Sequence, residues 1–322
     1  MSVYTIDRTD LAGLIPEPVS REILQGAIAE SAVLRMGRRL PNMTSSQQVI
    51  NVLDSLPTAY FVNGEANNTT GSTDAFKETT KMAWDKKKIY AEEVAVIVPI
   101  PEAALADASY DIWGEVRPRL NEAFGKLIDA AILFGANAPS TWRTGIVPSA
   151  SAASHVVTAS GNVFADIMDE NGVIALVEES GFVPNGVMGA IKAKAMLRGL
   201  VDGNGQPIFK TDMQGETRYA LDGMPMYFPV NGAFDPTAAL MIVGDFNQLV
   251  YAIRQDMTYK IFTEGVIQDP SDGSIVYNLL QNDMVALRAT MRLGWEVANP
   301  VNAYNAGDAN AFPFAVYAPA GT

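Results

Sequence analysis

Five of the chain's 23 Lys and Arg residues, Lys77, Lys81, Lys86, Lys87 and Lys88, fall within the twelve positions 77–88 of a 322-residue sequence whose formal net charge is −13. Such a cluster could neutralise phosphates, coat a solvated hairpin, or dock on an acidic neighbouring subunit. Asp74, Glu78, Asp85, Glu92 and Glu93 interleave with the lysines, which weakens the phosphate reading and leaves the other two open. Charges along an exposed strand edge also oppose edge-to-edge aggregation. An exposed ion pair contributes only about 0.2–1 kcal/mol, so in a subunit contact the lysines would set register and an apolar anchor would supply affinity. Phe76, Met82 and Trp84 stand among them for that role. Burying one aromatic side chain removes roughly 150–250 Å² from water, worth about 5 kcal/mol at roughly 25 cal/mol/Å².

Other chemistry is sparse. The only histidine, His155, sits in a Ser/Ala-rich stretch and is expected to be a solvated loop residue, because catalysis needs a nucleophile and an orienting carboxylate beside it. No GxSxG elbow is present. Gly125-Lys126 lies in a helical pattern without the upstream glycine of a phosphate loop. Asp202-Gly203-Asn204-Gly205-Gln206 lacks the sixth-position Gly and the terminal Glu of a calcium loop and reads as a turn, as does Asp269–Gly273. The absence of cysteine excludes disulfides and Cys-based zinc sites. No enzyme activity, catalytic residue, cofactor or metal is therefore expected. The opening MSVYTIDRTDL has neither the basic nor the apolar region of a signal peptide, and no apolar run approaches the roughly eighteen residues of a membrane span.

The elements that would carry these residues follow from periodicity. Glu17-Pro18 opens a helical stripe through Val19, Ile23, Ala27, Ile28 and Leu34, with Arg35 in its last turn and Gly37 after it. Gln48–Leu53 and Thr58–Val62 are β-like, residues 63–74 form a polar turn-rich tip, and alternation resumes at Phe76 and runs to Ile100. The result is a long two-stranded arm, exposed at its tip and buried on both faces at its base, that is marginally stable alone and must lie on something. A long helix is predicted over 102–134, kinked or divided by Pro118, then a loop over 136–160. Helices are predicted over 163–179 and 186–200, and strands over 220–229, 238–243 and 249–254. The clearest pattern is DMVALRATMRLGWEV. Its every-second-residue apolar set from Val285 to Val297 predicts a strand of about thirteen residues with one dry and one wet face. The tail after Pro300 reads as irregular. Charged residues at 18% fall below the usual quarter, as expected where partner subunits cover surface. The acidic balance argues against general nucleic-acid binding.

The order of these parts, with KKIYAEEVAVIVPIPEAALADA, EVRPRLNEAFGKLIDAAILFG, GFVPNGVMGAIKAKAMLRGLVDGNGQPIF, ALMIVGDFNQLVYAIRQDM and DMVALRATMRLGWEVANP in sequence, resembles the major capsid proteins of tailed bacteriophages. The resemblance runs from about Leu14 to Pro300 and implies an α+β Hong Kong 97-type fold. It implies an N-arm and helix over 1–44, an E-loop hairpin over 45–100, a peripheral domain with a spine helix over 101–160, an axial domain over 161–280, and a return strand with C-terminal tail over 281–322. It further implies self-assembly through hexamers and pentamers into an icosahedral head shell, in the host cytoplasm, around double-stranded DNA held without sequence-specific contacts. Portal and a separate scaffolding or decoration protein are the implied partners. On this reading the lysine-rich arm, with Phe76, Met82 and Trp84, is an inter-subunit clasp. Two alternatives are an encapsulin-like nanocompartment shell and a soluble acidic hydrolase.

Overall fold

A computed structural model describes residues 31–59, 79–107, 112–200, 220–306 and 308–320. The expected tip at 63–74, the turn at 202–207 and the helix start at Glu17-Pro18 lie outside the described residues. The described helices are α1 (Ala32–Met36), α2 (Glu102–Asp107), α3 (Ile112–Phe134), α4 (Ile146–Ala152), α5 (Val163–Met168), α6 (Val173–Glu179) and α7 (Ile191–Arg198). The strands are β1 (Arg38–Arg39), β2 (Gln47–Ser55), β3 (Ala83–Tyr90), β4 (Glu92–Pro101), β5 (Val156–Thr158), β6 (Gly186–Gly189), β7 (Ala220–Leu221), β8 (Met224–Tyr227), β9 (Met241–Gly244), β10 (Leu249–Phe262), β11 (Val266–Gln268), β12 (Ile275–Asn278), β13 (Met284–Val297) and β14 (Phe314–Ala318). They form a four-stranded sheet in the order β1-β10-β13-β4, a six-stranded sheet in the order β5-β14-β9-β6-β8-β7, and two ribbons, β2-β3 and β11-β12.

Strand β13 is the axis of the four-stranded sheet. Its fourteen residues pair antiparallel with β10 on one side and β4 on the other. Leu287, Ala289, Met291, Leu293, Trp295 and Val297 are buried against α3 and α4 residues such as Leu120, Phe124, Ile128 and Ile146, as the alternation predicts. The opposite face is not wet. Gly294 offers no side chain there, and a Cβ at that position would come within 2.7 Å of Ile89 Cγ2 and would strike the Tyr90 carbonyl. The ribbon root therefore lies directly on this face. Ile89 is fully buried with Met43, Ala91, Val250 and Ala252 in a small cluster of its own.

Several expectations are corrected. The arm does not continue to Ile100: pairing of β2 with β3 ends at Gln47–Tyr90, and after Ala91 the chain joins the four-stranded sheet as its outer strand β4. That outer position leaves β4 half-covered, with Ile97 48% exposed, where burial on both faces was expected. Of the helix expected over 102–134, the described residues form α2 (Glu102–Asp107) and α3 (Ile112–Phe134), and α3 continues through Pro118 instead of dividing there. The segment 163–179 breaks around Gly172, where a Cβ would meet the Ile167 carbonyl. Residues 186–189 are strand, not helix, and 220–229 is a hairpin because Asp222 and Gly223 both take positive φ, the geometry of a tight I′-type turn. The tail after Pro300 is not irregular: β14 enters the six-stranded sheet between β5 and β9, with Phe314, Ala315, Val316 and Tyr317 buried. The expected loop over 136–160 contains α4 and β5.

Candidate functional site

The paired register of β2 and β3 sorts the lysine-rich segment into two faces. Directly opposed residues share a face. Trp84, Lys86 and Lys88 stand opposite Leu53, Asn51 and Val49, while Asp85, Lys87 and Ile89 stand opposite Val52, Ile50 and Gln48. The second set faces the body: Val52 and Ile89 are buried. The first set faces away, leaving Trp84 60% exposed and Val49 50% exposed. Lys81 and Met82 precede the strand and are exposed. Phe76 and Lys77 lie outside the described residues.

The five lysines therefore do not act as one group. Lys87 turns inward, and its Nζ donates to the Val297 carbonyl oxygen at 3.1 Å. Desolvation, then the nearby Arg143 guanidinium, holds its pKa below the usual lysine range, against Glu296 and Asp85. It ties the ribbon to its own body and is not available to a neighbour. Lys86 and Lys88 flank the outward face with Trp84, so that face combines one large aromatic, two aliphatics and two cations.

The root of the ribbon is held by contacts that sequence inspection missed. Trp142 Nε1 donates to the Tyr90 carbonyl at 3.1 Å, and its ring packs edge-on against Trp295, centroids 6.4 Å apart. The Ala91 amide donates to the Ser46 carbonyl, the Met43 amide to the Ile253 carbonyl, and Arg254 Nη1 to the Met43 carbonyl. Arg143 Nη1 donates to Glu296 Oε1 at 3.1 Å. The Val301 amide donates to the Leu53 carbonyl at 3.0 Å. A signal existed for Trp142: a lone tryptophan in a stretch of small residues seldom stays in water.

Two polar clusters lie in the body. The Asp129 carboxylate on α3 accepts from Ser31 Oγ, the Ala32 and Val33 amides and Asn231 Nδ2, which fastens the start of α1 to α3. Burial pushes the Asp129 pKa up, against these hydrogen bonds. His155 is buried rather than solvated. Its Nε2 lies 3.3 Å from Ser180 Oγ, and that oxygen also accepts from the Phe312 amide. Burial holds the imidazole below its usual range, against nearby backbone carbonyls, Asp308 and Glu179. The pair is a tie between α6 and the segment leading into β14. Among the described residues no group of three or more His, Asp or Glu side chains could hold a metal ion.

A long strand β13, a long helix beneath it and a β-ribbon are the parts that the capsid resemblance implies, and comparison with known proteins gives the class. The phage capsid family model matches residues 12–305, so the chain belongs to the phage capsid family. It is 28% identical over 293 residues to the major capsid protein of Staphylococcus phage 80alpha, covering 89% of this chain and 82% of that one. A solved structure from Microbacterium phage Oxtober96 superposes with a TM-score of 0.76 at 32% identity, covering 98% of this chain and 99% of that one. One from Mycobacterium phage Bobi does so at 0.76 and 30% identity, covering 99% and 100%. The capsid of a native GTA particle, at 17% identity and a TM-score of 0.59, shares the fold. The fold is the α+β Hong Kong 97-type capsid fold, and the chain is a structural subunit of a phage head shell. Neither the nanocompartment nor the hydrolase alternative finds support in these comparisons.

Proposed function

We propose that this subunit assembles as hexamers and pentamers into an icosahedral shell around double-stranded DNA, and that the outward face of the β2-β3 ribbon is the clasp that holds neighbouring subunits. The supporting observation is Trp84. It is 60% exposed on a ribbon whose other face and root are fixed to its own body. A large apolar ring held rigidly in water is costly in a free monomer and useful in a subunit whose neighbours cover it. Met82, Val49, Lys81, Lys86 and Lys88 accompany it, whereas Lys87 is assigned to the ribbon's own anchorage.

Residues 1–44 serve as the N-arm, the ribbon region as the E-loop and α3 as the spine helix, and the six-stranded sheet forms the axial body, to which β14 now belongs. The action is physical: modest contacts sum over many copies, with the roughly 2,000–5,000 Å² typical of obligate interfaces. The net charge of −13 keeps the wall from gripping DNA phosphates. Portal and a separate scaffolding or decoration protein complete the head, and assembly takes place in the host cytoplasm. Electron microscopy of purified Trp84→Ala particles tests the clasp. The expected result is folded capsomers with few intact shells, and shells that form and survive heating like the wild type would overturn it.

A further inference from the structure

We infer that the cleft between β4 and α3 is the receptor for Trp84 of a neighbouring copy, with Glu92 taking a lysine beside it. The inference rests on the clasp reading and adds the surface that the clasp grips.

The cleft holds about 210 Å³ and is lined by apolar side chains, among them Ala95, Leu127 and Trp142, together with Glu92, Glu93 and Asn137. Leu127 is 37% exposed on α3, an apolar side chain in water within a concave site. Trp142 supplies an aromatic wall that an incoming indole can meet edge-on. Glu92 is oriented by the Thr141 hydroxyl, which donates to its Oε1 at 2.6 Å. Among the described residues Glu93 has Arg292 as its ion-pair partner, at 3.8 Å, too far for a hydrogen bond. Glu92 pairs with Leu293 and faces the cleft side of β4, whereas Glu93 pairs with Arg292 on the other face.

The outward ribbon face carries the complement. Trp84 and Lys86 are separated by roughly 6–7 Å along β3, and Lys88 by a similar step again. With the indole in the cleft, a long lysine side chain spans that distance to the Glu92 carboxylate. The ribbon cannot satisfy its own cleft. Trp84 lies eight residues before Glu92, about 26 Å of extended strand, and the root between them is fixed by the Trp142–Tyr90 and Lys87–Val297 hydrogen bonds. The occupant is therefore a second copy of this chain.

The test replaces Trp84 with the photo-crosslinking residue p-benzoylphenylalanine, which keeps a large aromatic at that position. Assembled shells are irradiated and crosslinked peptides are identified by mass spectrometry. The expected product joins position 84 of one copy to residues 92–95 or 127–142 of another. Intermolecular products at other surfaces would overturn the receptor assignment while leaving the clasp intact. Shells that give no intermolecular product at all would overturn both. As a second measurement, Leu127→Lys puts a cation in the cleft. It should lower shell yield about tenfold or more, as loss of an interface anchor does, with capsomer folding unchanged by circular dichroism. Unchanged yield overturns the assignment.

Discussion

In the six-stranded sheet, β6 and β9 are buried at every position and β14 at four of five. In the β2-β3 ribbon, one residue of each strand is buried, Val52 and Ile89. Strands β6, β9 and β14 come from separate stretches of sequence and complete their burial within one chain. The ribbon completes half, through Lys87, Ile89 and the Trp142 anchor, and leaves Trp84 and Val49 in water. The difference separates stability from assembly: side chains in the sheet hold the subunit together, and side chains on the ribbon's outer face hold subunits to one another.

Substitutions should divide along that line. The largest effect is expected for Phe314→Ala, which empties a fully buried site packed by Phe246 and Phe312. It should cost about 3–5 kcal/mol in chemical denaturation of capsomers, and a loss below about 1 kcal/mol would break the contrast. Next is Trp84→Ala. Folding stability of the isolated subunit should move by less than about 0.5 kcal/mol, as at other exposed positions. The melting temperature of any shells that form should fall clearly in calorimetry, and parallel losses in both states would merge the two regions. A smaller effect is expected from pH. His155 is neutral in the fold, with its pKa depressed by burial, so the unfolded chain binds the proton more readily. Its contribution is fully present above the unfolded value of about 6.5 and declines as pH falls below it. His155→Gln should flatten the dependence of capsomer stability on pH in that window; an unchanged slope assigns it elsewhere. The smallest effect is expected for Lys88→Ala, within about 0.5 kcal/mol on capsomers and only a modest, salt-sensitive loss of shell stability.

Legibility in the sequence followed the physics of each element. Strand β13 was readable because a period of two over fourteen residues has no competing helical interpretation. Strand β14 was not: Phe-Ala-Val-Tyr-Ala is apolar throughout and only five residues long, and a short continuous apolar run carries neither period. The hairpin at Asp222-Gly223 was readable in principle from its turn dipeptide. Only the structure separates β6 from the helix that follows it, since Gly186–Gly189 has no β-branched run to announce a strand beyond Val187. His155 was misplaced because the residues before it are small Ala and Ser, while the burial comes from β14 and the end of α6, far away in the chain.

The candidate site was half legible. Alternation alone places Lys87 on the opposite face from Trp84, Lys86 and Lys88. Which face turns inward depends on Gly294 and the Val297 carbonyl, two hundred residues later. The sequence by itself determined the order of parts, the long β13, the helix beneath it and an aromatic among lysines, because periodicity and residue type are local properties. Only the tertiary structure decided where the ribbon ends, which lysine is an internal anchor, and that the final strand lies inside a sheet. Those outcomes are set by contacts between distant segments, and no local pattern encodes a partner's position.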